Sequence, residues 1–541
     1  LNRIWGADPS LIFGSLTADR EVILVNGNGV YFGRGAQVDT GKFIASTLNL
    51  ADAVFEKGLR NVTDGSAVFD STATDLATHL DSAVSVESGA EIRSAAGGDV
   101  LLIAPRVVNQ GRLVTPQGQT VLAAGEKVYL MSSSDPAQRG LIVAVDPFKV
   151  DGVPDPTLGR VENAASGSDN TPPGGSTVSA TSGLVSRLNE IRAESGTVNL
   201  VGLAVRQAGV INATTAVKGA NGAIYLQGMA STTTLRSGSA AVAGSAGDRG
   251  LQIEAGASVR VGQQLGTVDV GGHSVTAVVP QTGPGTQLDA ETFHPSRIRI
   301  EAAQISVADG AQVLAPAGRI DLLAATDTLG NGTGATTLNS LFYGSTAGLA
   351  ASGSADDGSR LMVAPGATIS AAGLRDVAVD GTRNQGSLRL FRIELADAPV
   401  QRGGALYRQQ VYFDLREGGR ISAADVSGAA SAITRSAAEL STAGGNITLG
   451  AQGTVVLGQG SRIDVSGGST HHDAAVLVGS LVARNGRVMA FSRLGAGTAV
   501  DSLSPLTQRV VTPAYTEGQD GGELAIIGQR MAMADATLAG S

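Results

Sequence analysis

Gly98-Asp-Val-Leu-Leu-Ile-Ala and Gly118-Gln-Thr-Val-Leu-Ala-Ala align position for position at an offset of 20 residues. Arg297-Ile-Arg-Ile-Glu-Ala-Ala and Arg319-Ile-Asp-Leu-Leu-Ala-Ala repeat the theme at an offset of 22. Gly196-Thr-Val-Asn-Leu-Val, Gly445-Asn-Ile-Thr-Leu-Gly, Ser461-Arg-Ile-Asp-Val-Ser and Gly522-Glu-Leu-Ala-Ile-Ile carry it further. Each unit is a short alternating strand behind a Gly or a polar turn, with shorter strands such as Arg112-Leu-Val-Thr between. A fixed short period means a stacked repeat, because one unit cannot bury its apolar face alone. The economical solution is a right-handed parallel β-helix. About 20 turns at a strand spacing of ~4.8 Å would give a rod of ~95 Å. Alternation points Val100, Leu102, Leu113 and Val121 inward and leaves Leu101 outward. Gly is read as the positive-φ corner residue between faces.

Composition agrees. The chain has 541 residues, of which 74 are Gly, with 42% hydrophobic, 4% aromatic and 16% charged. That is too apolar and too weakly charged for a disordered chain. The Gly follows no three-residue period, which excludes collagen. A leucine-rich repeat has a similar period, but its Leu spacing and Asn are missing. A β-propeller needs longer blade repeats with aromatic signatures.

The repeat is interrupted. Residues 1–131 form the first rungs, 132–182 a loop-rich excursion and 183–325 further rungs. Residues 326–360 are a Gly/Ser/Thr-rich loop, and 361–541 are rungs with an inserted β-rich segment at about 375–420. In that segment Ser387-Leu-Arg-Leu-Phe-Arg-Ile-Glu-Leu and Gln410-Val-Tyr-Phe-Asp-Leu alternate and read as a hairpin. Asn49 to Glu56 reads as one or two helical turns with Asn49 as N-cap. Leu184, Leu188 and Ile191 fit helical spacing, but a repeat strand is favoured.

Chemistry is sparse. Net charge is −9, which argues against nucleic acid as a partner. No apolar run is long enough to span a bilayer as a helix. Cys is absent, which suits a chain that crosses the periplasm unfolded. His471-His472-Asp473 is the clustered set of candidate metal ligands, but neighbours on a strand diverge, so a solvated loop is the reading and no metal site is expected. His79, His273 and His294 are isolated. There is no nucleophile elbow or phosphate loop. A β-helical polysaccharide-active enzyme needs converging carboxylates; Asp99, Asp321 and Asp464 are candidates that stacked repeats would place on solvent faces anyway. No enzyme activity and no cofactor are expected. Sequons at Asn61, Asn212, Asn331 and Asn446 occur at the chance level of a Thr-rich chain.

The first fifty residues add a different kind of signal. Leu1-Asn-Arg-Ile-Trp-Gly-Ala-Asp-Pro-Ser, Val25-Asn-Gly-Asn-Gly-Val-Tyr-Phe-Gly, Gly35-Ala-Gln-Val-Asp-Thr-Gly and Ile44-Ala-Ser-Thr-Leu fall in order. Together they resemble the secretion domain of two-partner-secretion exoproteins of the filamentous haemagglutinin type, tightly over about residues 1–60, so that residues 1–131 read as a partial secretion domain with the first β-helix rungs. Gly27 stands where the family pattern has Pro. The family pattern also begins before Leu1, so the chain reads as a fragment whose first rung leaves strand edges open. The resemblance implies a β-helix exported through the periplasm of a Gram-negative bacterium. It implies passage through a partner outer-membrane β-barrel transporter and release or display as an adhesin. The receptor is not legible. The same N-terminal architecture occurs on the stalk of contact-dependent growth-inhibition toxins, which is the alternative within the class. Asn26, Gly27, Asn28 and Gly29 lie between two strands as a tight turn. The resemblance makes that turn part of the signal read by the transporter.

Overall fold

The structure, a computed structural model, describes residues 1–59, 68–71, 82–132, 141–147, 149–150, 153–154, 158–164, 190–215, 222–236, 258–280, 295–326, 356–431, 433 and 435–541. They form a parallel β-helix with three faces. The first face is an eleven-stranded parallel sheet running from Ser10–Ile12 to Arg530–Met533. The second and third match it rung for rung. On the second face, Arg112–Val114 lies between Glu91–Ser94 and Glu190–Glu194. On the third, Val100–Ala104 lies between residues 43–46 and Gln119–Ala124.

Register is carried by columns of like residues. Val107, Val161, Val205, Val268, Ile305, Leu361 and Val455 stack along the inside of the first face and all are buried. Burying each such side chain stabilises by about 1.5–3 kcal/mol, so the columns fix which face turns inward. One column breaks the rule. Between Val86 and Val270 it holds Asn109, Asn163 and Gln207, all wholly buried. Asn109 Nδ2 donates to Asn163 Oδ1 at 2.9 Å, and Asn163 Nδ2 donates to Gln207 Oε1 at 2.7 Å. Gln207 Nε2 ends the ladder on the carbonyls of Gly209 and Val275. Each rung therefore satisfies the next, as buried amides require.

The glycines before the third-face strands have another cause than the one expected. A Cβ on Gly118 would lie 1.7 Å from the Gly98 carbonyl oxygen, and one on Gly196 would lie 2.2 Å from that of Gly118. These positions are Gly because stacked backbones touch there. The positive φ is taken one residue earlier, by Gly97, Gln117, Ser195 and Ala317.

Other expectations are corrected. Among the described residues the rungs number eleven, not about twenty, so at ~4.8 Å per rung they stack over about 50 Å. The outer side of the third face is not open at its N-terminal end. An antiparallel sheet of Asn49–Leu50, Phe69–Asp70, Lys127–Ser132 and Leu141–Asp146 covers it. Leu101 and Val121 point outward into this second core, beside Ile23, Ile44 and Val145, while Val100, Leu102 and Leu113 line the first. Leu101 is 2% and Leu102 0% exposed. The short helix is Asp52–Lys57, capped at Ala51 without a side-chain bond, and Asn49 sits in a strand.

Most of the 132–182 excursion lies outside the described residues, but Arg160–Asn163 within it is a first-face rung strand. Residues 327–355 also lie outside, as do Leu184 and Leu188; Ile191 is in the strand Glu190–Glu194. In the 375–420 segment the hairpin pairs Gln385–Arg389 with Gln410–Asp414. The strand stops at Arg389, and turns with a short helix Pro399–Arg402 follow.

That hairpin belongs to a side lobe built from two excursions on successive rungs, residues 371–445 and 465–523. Leu390, Leu406, Val411 and Phe413 from one pack with Val482, Phe491 and Leu494 from the other. Hydrogen bonds stitch them: Gln385 Nε2 donates to the Val478 carbonyl at 2.9 Å, and the Tyr412 amide donates to Ser480 Oγ at 2.8 Å. Among the described residues no helix is long and apolar enough to cross a membrane.

Candidate functional site

The turn Asn26-Gly27-Asn28-Gly29 joins the third-face end of the long strand Ser15–Asn26 to the first-face strand Val30–Phe32. Asn26 is wholly buried. Its Oδ1 accepts the Asn28 amide at 3.0 Å, which closes the turn locally. Its Nδ2 reaches back one rung, donating to the Asp8 carbonyl at 3.0 Å and to Ser10 Oγ at 2.9 Å. Asn28 Nδ2 donates to the Gly6 carbonyl at 2.6 Å. Of the four residues only Gly29 takes a positive φ, +119°. Its amide donates to Asn26 O and its carbonyl accepts the Ser10 amide, both at 3.0 Å. Asn and Gly are suited to this work because a short amide can bond its own backbone two residues on. The two Asn thus fasten residues 6–10 across the open side of the first rungs.

The rest of the N-terminal motif packs around the turn. Phe32 meets Phe43 edge-on inside the solenoid, with ring centroids 5.7 Å apart. Phe13 lies where a Gly33 side chain would be, within 2.2 Å of a Cβ there, and meets Tyr31 edge-on at 6.0 Å. A hydrogen bond to Glu87 pushes the Tyr31 phenol above its ordinary range. Arg3 was not singled out by sequence reasoning. It pairs with Asp52 at 2.6 Å and donates to the Leu50 carbonyl at 2.5 Å, tying the first strand to the covering sheet. Its place inside the quoted motif was the available signal.

The candidate ligands and carboxylates do not converge. His471 and His472 lie on a strand, Ser469–His472, rather than in a loop. His471 Nδ1 is 3.1 Å from Thr516 Oγ1, whereas the His472 ring stacks on Tyr515 at 4.4 Å. Among the described residues no group of three or more His, Asp or Glu could hold a metal. Asp99 accepts the Gln119 amide and pairs with Lys42 at 3.4 Å. Asp321 is held by Arg319 at 2.8 Å. Asp464 is on the second face; burial opposes its charge, but the Ser466 amide and Arg462 hold its carboxyl below the usual range. His273 is a turn residue at φ +55°. His79, His294, Asn61 and Asn331 lie outside the described residues. Asn212 is buried and Asn446 is exposed.

Residues 1–261 match the family model described as the TPS secretion domain. No curated protein matches the chain. Among solved structures, the HMW1 secretion domain from Haemophilus influenzae is similar at 16% identity and a TM-score of 0.41, over 70% of this chain and 71% of that one.

Proposed function

The chain is a two-partner-secretion exoprotein by its secretion domain, and we propose that its work is adhesion through an elongated, non-catalytic scaffold. A domain of this kind implies export through the periplasm and a cognate outer-membrane transporter. The finer reading is that Asn26 and Asn28 shape the part of the first rungs that the transporter recognises.

The observation that carries this reading is the side-chain net of the turn. Two Asn hold residues 6–10 in place from one rung on, so the turn sets the shape of the surface formed by the motif. The paired state of Asp99, Asp321 and Asp464, on separate columns, supports a scaffold over a polysaccharide-active enzyme. No observation favours a toxin stalk.

The test uses the intact exoprotein with its transporter. Asn26→Ala combined with Asn28→Ala leaves the chain in the periplasm and removes it from the medium. Secretion at the wild-type level overturns the recognition role. If export fails and the purified variant is also misfolded, the turn's structural role suffices to explain the loss.

A further inference from the structure

The side lobe carries one strand that the rest of the described residues leave bare. Ala475–Arg484 is flanked by Arg487–Ala490 on one side and by Ser502–Thr512 on the other, all antiparallel, so Ser502–Thr512 is the sheet edge. Both of its faces are open. Val511 is 75% and Leu506 66% exposed, and Val476, which lies opposite Val511, is 53% exposed. Val510, on the other face, is exposed as well.

Edge strands are normally blunted by Pro, bulges or charge. Here those devices protect only the first half. Pro505 falls in the register shift between Val482–Leu503 and Ser480–Thr507, and Ser504 Oγ accepts the Leu506 amide there. From Thr507 to Thr512 the pairing is regular and the residues are Thr-Gln-Arg-Val-Val-Thr. The run holds no Pro and a single charge. Among the described residues the outward amides and carbonyls of this run meet no other strand.

We propose that Thr507–Thr512 is a docking edge for an extended acidic strand of a partner protein, which would add to the sheet by backbone pairing. The backbone ladder dictates an extended polypeptide, as in strand addition to other sheets. Charge selects its character. Arg509 is exposed and, among the described residues, makes no ion pair, so the edge presents one unopposed positive charge. A second copy of the same strand would bring a second Arg509 to the edge and no carboxylate, so charge favours an acidic strand over self-pairing. The inference rests on the adhesive reading only for the biological source of the strand; the binding is tested without it.

The probe is a short peptide alternating valine with glutamate, titrated against the purified 541-residue chain. It binds, the lysine counterpart binds more weakly, and N-methylation of every peptide amide abolishes binding. Arg509→Glu weakens the acidic peptide about fivefold and strengthens the lysine peptide, as reversal of one exposed cross-strand pair allows. Absence of binding by the acidic peptide, or binding that survives N-methylation, overturns the proposal. Adhesion of cells displaying the exoprotein is measured separately. Peptide binding without adhesion sinks the adhesive reading alone, and adhesion without peptide binding sinks the docking edge alone.

Discussion

Leu101→Asp is the substitution on which the two-core description depends. Leu101 and Leu102 are neighbours on one strand and point to opposite sides, yet both are buried. Leu102 sits inside the solenoid, and Leu101 sits under the covering antiparallel sheet. Truncating a buried Leu costs about 2–5 kcal/mol. Leu101 also borders a cavity of ≈ 220 Å³ that it shares with Ile23, Ile44 and Phe55, so water can reach an introduced carboxylate. The lower part of the range, about 2–4 kcal/mol, therefore applies to Leu101→Asp. Hydrogen exchange reads this locally, which suits a stacked repeat that need not unfold as one unit. Amides of residues 43–46, 100–104 and 120–124 should lose protection by roughly 30- to 700-fold. Leu102→Asp should do at least as much. Ser306→Asp, on the exposed side of the first face, should change it by less than about twofold. Unchanged protection in Leu101→Asp beside a large loss in Leu102→Asp would refute the second core.

Gly118→Ala should open the stack between Gly98 and Gly118, because the new methyl meets a carbonyl oxygen at 1.7 Å; overpacking of this kind costs about 1–3 kcal/mol or more, and the urea midpoint reads it. Asn163→Leu should destabilise by about 1–3 kcal/mol for each amide group left unpaired, whereas replacing Asn109, Asn163 and Gln207 together by Val or Leu should recover most of that loss. Asp464 is held below the usual carboxylate range in the folded state. Its contribution to stability is therefore present above pH ~4 and lost as pH falls through the lowered value. Asp464→Asn should flatten that acid loss in a thermal melt series, and an unaltered acid profile would count against the pairing.

How far the sequence could be read follows from which forces leave a local mark. Alternation around Val100 and Leu102 showed the strands, because the pleat has a period of two. It could not show that Leu101 and Val121 are also buried, since their cover comes from Lys127–Ser132 and Leu141–Asp146, and a covering layer leaves no period on the strand beneath. The glycine before each third-face strand was visible, but its cause was not. Backbone contact between Gly98 and Gly118 is a property of stacking, not of either turn. The rung count was overestimated because the 20- and 22-residue offsets hold only where successive rungs meet without an excursion. His472 looked solvated, and its ring is stacked on Tyr515, a partner 43 residues away in sequence. At the N-terminus the turn from Asn26 to Gly29 was legible as a turn. The bonds from Asn26 and Asn28 to Gly6, Asp8 and Ser10 needed the rung geometry.

Export through a dedicated partner is the central claim, and it is tested most directly by following the intact exoprotein in cells with and without the cognate transporter. The fraction of the protein in the medium is measured against the fraction in the periplasm. With the transporter present the exoprotein appears outside the cell; without it the protein accumulates in the periplasm or is degraded there. Equal amounts in the medium under both conditions would contradict the account.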